Sequence, residues 1–182
     1  MEIRVARAKY KPSQLVTLFV SEAPPDSPER FFYFDDVARK DGPYIYLFHA
    51  LYGPRNYTPD SDALRLHKAA NPRRFQADGF FLIDALDEVP SAELASSRKR
   101  RIRSRAPVKV AEIEALLREL GTPATRVVLI KANVFDGLSA TTVAAGLPLA
   151  HGSKIPFPGP GNQRDFLDAF WSLGITPESM ST

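Results

Sequence analysis

Residues 15–25 read LVTLFVSEAPP. The first six are apolar or β-branched with scarcely a break. That fits a strand buried on both faces of a parallel sheet, not the in–out alternation of a strand with one wet face. The next five change character at once: a serine, a carboxylate (Glu22), an alanine, then two prolines that stiffen the exit. Two further runs behave alike. GFFLID (79–84) ends on Asp84 and runs into ALDEVP, and RVVLIK (126–131) runs into AN. EIRVA (2–6) and GLPLA (146–150) are weaker candidates for strands.

Helical patterns lie between these runs. PYIYLFHALYG (43–53) surrounds His49 with apolar residues and stops at Gly53-Pro54. DSDALRLHKAAN (60–71) predicts one helix capped by Asp60 or Ser61 and ending near Asn71-Pro72. VKVAEIEALLREL (108–120) puts Val110, Ile113, Leu117 and Leu120 on one face, with Gly121 as the stop. NQRDFLDAFWSLG (162–174) does the same with Phe166, Phe170 and Leu173. Strands alternating with helices predict an α/β fold, a three-layer α/β/α domain with a short central parallel sheet, spanning residues 1–182 as one unit.

Composition narrows the function classes. The chain has no cysteine, which excludes disulfides, thiolate nucleophiles and cysteine-held zinc or iron–sulfur clusters. His49, His67 and His151 show no metal-ligand spacing, so no metal is expected. No apolar run reaches membrane-spanning length, and MEIRVARAKYKPSQL lacks the apolar centre of a signal peptide. A cytoplasmic protein with no membrane partner is the expectation. The charge is concentrated: SSRKRRIRSR holds six of the 24 Lys and Arg residues, and the remaining 18 face 21 Asp and Glu. Arg98, Lys99, Arg100 and Arg101 in this run are candidate phosphate contacts for nucleic acid, DNA rather than RNA; a solvated linker explains the run equally well. It is expected as an exposed loop or frayed helical extension outside the core.

In open α/β sheets, ligands bind beyond the carboxyl ends of the strands. SEAPP, Asp84 with LDEVP, and KAN all fall there, and HGSKIPFPGPGN precedes the last helix. The order of these motifs resembles the uracil-DNA glycosylase superfamily, particularly its branch with a GEAPG-type first motif. SEAPP resembles GEAPG, GFFLIDALDEVP resembles the second strand and its turn, and RVVLIKANVFDGL resembles a VVALGKVAAEAL-type strand–turn–helix. PFPGPGNQRDF resembles the closing His-Pro-Ser-Pro motif and its helix.

The resemblance implies a uracil-DNA glycosylase-like fold and hydrolysis of an N-glycosidic bond to a damaged or deaminated base, without a cofactor. Glu22 would place the attacking water, and one ring of Phe32, Tyr33 and Phe34, with Phe32 and Phe34 preferred, would stack on the flipped base. Asp84 would read the base edge. His151 would replace the catalytic His where this chain has Phe157, and the PGPG loop, with free N–H groups at the helix start beside Asn162 and Arg164, would contact phosphate. Each residue also has a plain structural reading: Glu22 and Asp84 as turn caps, the rings as core, His151 as a surface residue, and the PGPG loop as a turn into a helix.

The departures from the family bear on chemistry. An ionised Asp84 only accepts hydrogen bonds, which suits an exocyclic amine better than uracil O4. Phe157 cannot stabilise a departing base, and Pro25 stands where the family has glycine. These changes predict weak or absent uracil release. Two rival expectations remain open: a non-catalytic nucleic-acid-binding or interaction module that kept the fold, and an unrelated hydrolase built on Asp84, Asp87 and Glu88.

Overall fold

In the computed structural model, which describes residues 3–25, 30–35, 41–88 and 94–177, three parallel strands form the sheet. They are β1 (Leu15–Ser21), β2 (Phe80–Asp84) and β3 (Gly121–Leu129), in the order β2-β1-β3. Seven helices surround them among the described residues: α1 (Ile3–Lys9), α2 (Gly42–Tyr52), α3 (Ser61–Leu66), α4 (Asn71–Ala77), α5 (Ala95–Leu120), α6 (Ala132–Ala144) and α7 (Gln163–Trp171). Asp26–Glu29 and the Val89-Pro90 end of the second turn lie outside the described residues.

The apolar runs fold as their composition demands. Every residue of β2 is buried, and Leu18, Phe19 and Val20 of β1 are fully so, which confirms a sheet covered on both faces. Register aligns Ser21 with Asp84 at the carboxyl end. On one face Phe19 meets Phe75 of α4, Phe80 and Phe170 of α7 at 5.8–5.9 Å between ring centroids. Gly79, at φ 72°, makes the tight entry to β2; a Cβ there would lie 2.7 Å from Val16 Cγ2.

A three-stranded sheet has two open edges, and a side chain helps to close each. The buried Tyr33 hydroxyl accepts the Leu82 N–H at 2.7 Å and donates to the Leu82 carbonyl at 3.2 Å, completing the free edge of β2. On the free edge of β3, the Leu129 N–H donates to His151 Nε2 at 2.9 Å. The GLPLA segment makes only a single bridge, Val127 to Leu149, where a strand was expected, because Pro148 brings no N–H to the ladder.

Three other expectations change. EIRVA is not a strand: residues from Ile3 begin α1, which buries Ala6 and is followed by the buried Tyr10 one turn on. Residues 60–71 do not form one helix. Asp60 caps α3 by accepting from the Ala63 N–H at 2.9 Å, but Pro72 cannot continue a helix through the carbonyl four residues back and instead starts α4. The basic run is neither loop nor frayed end. It is the first half of α5, continuous through Pro107, because Ile102 and Ala106 extend the buried stripe of Val110 and Ile113. Gly137 of α6 lets α5 approach closely; a Cβ there would lie 2.5 Å from Ile102 Cγ2. No described helix is long and apolar enough to cross a membrane.

Tyr33→Phe removes one hydroxyl and leaves a buried N–H and C=O of Leu82 without partners. Each unsatisfied group costs about 1–3 kcal/mol. Urea unfolding of Tyr33→Phe should show a lower midpoint with an unchanged slope; wild-type stability would show that the edge of β2 closes without Tyr33.

Candidate functional site

The strand order fixes where a site forms. From β1 the chain goes to β2 on one side, whereas from β3 it goes to the free edge, where Ile130 bridges Ile155. The connections diverge between the carboxyl ends of β1 and β3, which opens a crevice there. Glu22 leaves β1 and Lys131 leaves β3 at that point.

The crevice is a cavity of about 350 Å³. Its polar floor carries Ser21, Glu22, Asp84 and Arg7, and its walls carry Phe31, Phe32, Tyr33 and Phe157. Arg98 from α5, Lys131, and Pro25 with Pro158 complete the rim. Glu22, Phe32, Asp84 and Arg98 of the sequence candidates therefore share one cavity, together with Phe157 of the 151–162 loop.

Glu22 is held from both ends. Its backbone carbonyl accepts from the Leu86 N–H at 3.0 Å, and its side chain turns toward β3. Asn133 Nδ2 donates to Oε1 at 2.8 Å, Lys131 Nζ donates to Oε2, and Arg98 Nε lies 3.3 Å from Oε2. An amide and two cations, from the β3–α6 turn and from α5, keep this buried carboxylate at the cavity.

Asp84 is not the bare acceptor the sequence suggested. Arg7, from α1, pairs with its Oδ2, so a donor and an acceptor stand side by side at the floor. Burial pushes the Asp84 carboxyl above its usual range, and the Arg7 guanidinium pulls it back down. Arg7 escaped the sequence reading because α1 lies 77 residues from Asp84 along the chain.

Lys131 is the other residue missed, although it ends an apolar run just as Asp84 does. It is the sole non-glycine residue at positive φ among the described residues, at φ 87° and ψ 138°. Its N–H donates to the Ile155 carbonyl at 2.9 Å, and its ammonium stands 5.1 Å from the Phe157 ring centroid. Beside the cavity, Lys68 pairs with Asp41 at 3.2 Å and sits 3.9 Å over the Tyr44 ring. Burial pushes the Asp41 carboxyl up and the Lys68 ammonium down, and each partner opposes the other's shift.

The remaining candidates lie elsewhere. Phe34 is half-buried and packs edge-on against Phe31 at 5.2 Å, outside the cavity lining. His151 does not reach the cavity; Nε2 takes the Leu129 N–H, and Nδ1 donates to the Ser153 carbonyl at 2.6 Å. Asn162 is exposed at the start of α7. Arg164 lies 4.4 Å over the Tyr57 ring and beside Asp168. The PGPG loop was expected to offer free N–H groups, but those of Gly159, Gly161 and Asn162 bond within the loop and to Gln163. In the basic run, Lys99 pairs with Asp136 at 2.7 Å, Arg101 lies 3.8 Å from Glu88, and Arg100 is exposed. Asp136 also takes Lys154 at 2.9 Å, and these two lysines hold its carboxyl below the usual range. Among the described residues, no three His, Asp or Glu side chains gather as metal ligands.

No family model, curated protein or solved structure matches the chain.

His151 makes a pH test of the sheet edge. Burial lowers its pKa from the ordinary 6.5, and the neutral ring is the form that accepts the Leu129 N–H. The unfolded state then binds the proton first, so this contribution is complete above about pH 6.5 and falls as pH drops toward the folded value. Stability of wild type relative to His151→Gln should therefore shrink between about pH 7 and 5. A difference constant with pH would mean that His151 is not a neutral acceptor.

Proposed function

We propose that the cavity takes a flipped base of nucleic acid and hydrolyses its N-glycosidic bond. On this reading the chain is a divergent uracil-DNA glycosylase-like domain that needs no cofactor. The observation that carries the proposal is the position of Glu22: an anchored carboxylate at the junction of a polar floor and an aromatic wall. Glycosidic cleavage builds positive charge on the sugar carbon, and a fixed carboxylate there stabilises it and orients the incoming water. A cavity of about 350 Å³ is at the small end of ligand sites, which suits a base. Phe31, Phe32 and Phe157 line it, and extruded bases are held against rings of this kind.

The Arg7–Asp84 pair presents a donor beside an acceptor, which matches any base edge carrying both. Arg7 beside Asp84 and Lys131 beside Phe157 weaken two of the three sequence grounds against uracil, so oxo-bases and amino-bases both enter the test. α5, which brings Arg98 to the cavity rim, exposes Arg100 and Arg103 on other sides of the helix, where they can hold the phosphate backbone. A second reading, a binding module without chemistry, draws support from the engagement of both Glu22 oxygens by Lys131, Asn133 and Arg98.

Oligonucleotides bearing uracil, hypoxanthine, xanthine or alkylated bases test the proposal. Wild type should release at least one base, and Glu22→Gln should slow that release by about two to three orders of magnitude. Oligonucleotide binding with no release from any substrate would establish the binding-module reading instead.

Phosphate binding is separable from the chemistry. Arg100→Ala with Arg103→Ala should weaken binding alike for all sequences and reduce the log–log salt slope by roughly 2, since phosphate contacts carry no base information. An unchanged slope in an anisotropy titration would remove α5 from the interface.

A further inference from the structure

We propose that Lys131 is a catalytic residue that carries the negative charge of the departing base, a role resting on the hydrolytic reading above. Three observations on this one residue converge. It lines the cavity, its ammonium contacts the Glu22 carboxylate, and its backbone holds a conformation suited to glycine.

The strain is informative. A lysine at φ 87° and ψ 138° is disfavoured, and glycine at the same place would relieve it. The turn between β3 and α6 needs no lysine side chain to form: Lys131 N–H bonds to Ile155, and its carbonyl accepts from Val134 and Phe135 N–H groups. The turn thus uses the backbone of residue 131, and the side chain is directed to the cavity, against Glu22 and Phe157. A purely structural partner for Glu22 is also unnecessary, because Asn133 and Arg98 already reach that carboxylate.

The chemistry requires a second charge. When the C1′–N bond breaks, its electron pair leaves with the base and the sugar carbon becomes cationic. The oxygen of water then bonds that carbon, and the proton that water loses ends on the released base. Two opposite charges develop about one bond length apart, and the cavity holds an ammonium against a carboxylate. Glu22 faces the cation, and Lys131 donates a hydrogen bond to the base anion. Phe157 shapes this position without supplying charge: its ring lies under the ammonium, where the electron-rich face favours the cation. The stabilising group thus comes from the end of β3 and not from the closing loop.

The role predicts a dependence on the leaving group. Single-turnover release is measured from oligonucleotides carrying uracil, 5-fluorouracil, hypoxanthine or xanthine, with wild type, Lys131→Met and Lys131→Gly. Without the ammonium, less acidic bases such as uracil should lose about two to three orders of magnitude in rate. More acidic bases, which leave as anions with less help, should lose markedly less, so the plot of log rate against base acidity steepens. Thermal unfolding of Lys131→Gly should begin no lower than wild type. A uniform loss on every released base, or no loss, overturns the role of Lys131 and leaves hydrolysis standing. Failure of wild type to release any of the four bases overturns the hydrolytic reading, and this role with it.

Discussion

Among the three strands only β1 lies between two others, and the rest of the molecule is arranged around that restriction. A sheet of three parallel strands buried on both faces leaves two edges whose N–H and C=O groups water cannot reach freely, and unpaired buried groups are costly. Additional strands would be the common remedy. Here Tyr33 caps the edge of β2, and His151 with the backbone of Pro148, Ala150 and Ile155 closes the edge of β3. All of these residues come from connecting segments, so closing the sheet also fixes the loops. The segment around Tyr33 brings Phe31 and Phe32 to the cavity wall, and the segment after His151 brings Phe157. The walls of the site are thus a by-product of satisfying sheet edges.

The charged floor follows from the same arrangement. Ser21 ends β1 and Glu22 is the first residue beyond it, and their side chains meet different partners. Ser21 stands in register with Asp84, which draws Arg7 from α1. Glu22 draws Lys131, Asn133 and Arg98. Two carboxylates next to one another across the sheet end are therefore held in separate electrostatic settings. Burying a charge is tolerable only with partners of this kind, so each acid brings its own cation to the cavity. A ligand meets a mixed surface, Arg7, Arg30, Arg98 and Lys131 against Glu22, Asp41 and Asp84.

The sequence revealed the sheet because continuous apolar runs have few alternatives: all three strands, and the polar residues at their ends, were legible. It hid what depends on distant partners. Nothing local in IRVARAK says that Arg7 will meet Asp84, since the helix owes its place to Ala6 and Tyr10 packing on the core. His151 read as a loop residue because edge closure is visible only once an edge exists. Lys131 was in plain view at the end of RVVLIK, but a lysine after a strand is ordinary until its backbone angles are known. The PGPG loop misled for a similar reason, as its N–H groups bond among themselves. In the basic run, six cations masked Ile102 and Ala106, whose spacing to Val110 and Ile113 carries the stripe of α5 forward.

That extension of α5 is what joins fold and site. Had the run been a loose loop, its charges would have stayed in water and acted only at long range. As a helix it buries Ile102 against Gly137 of α6, which fixes its rotation. Positions one turn apart then have assigned tasks. Arg98 turns to the cavity and Glu22, Ile102 to the core, and Lys99 to Asp136, while Arg100 and Arg103 remain exposed. Asp136 also holds Lys154, which tethers the 151–157 loop that carries His151 and Phe157. Tight packing at a single glycine thus sets which cations reach the site and which face solvent. The most charged stretch of the chain is thereby anchored to the core through Ile102, and its exposed arginines keep a fixed direction relative to the cavity.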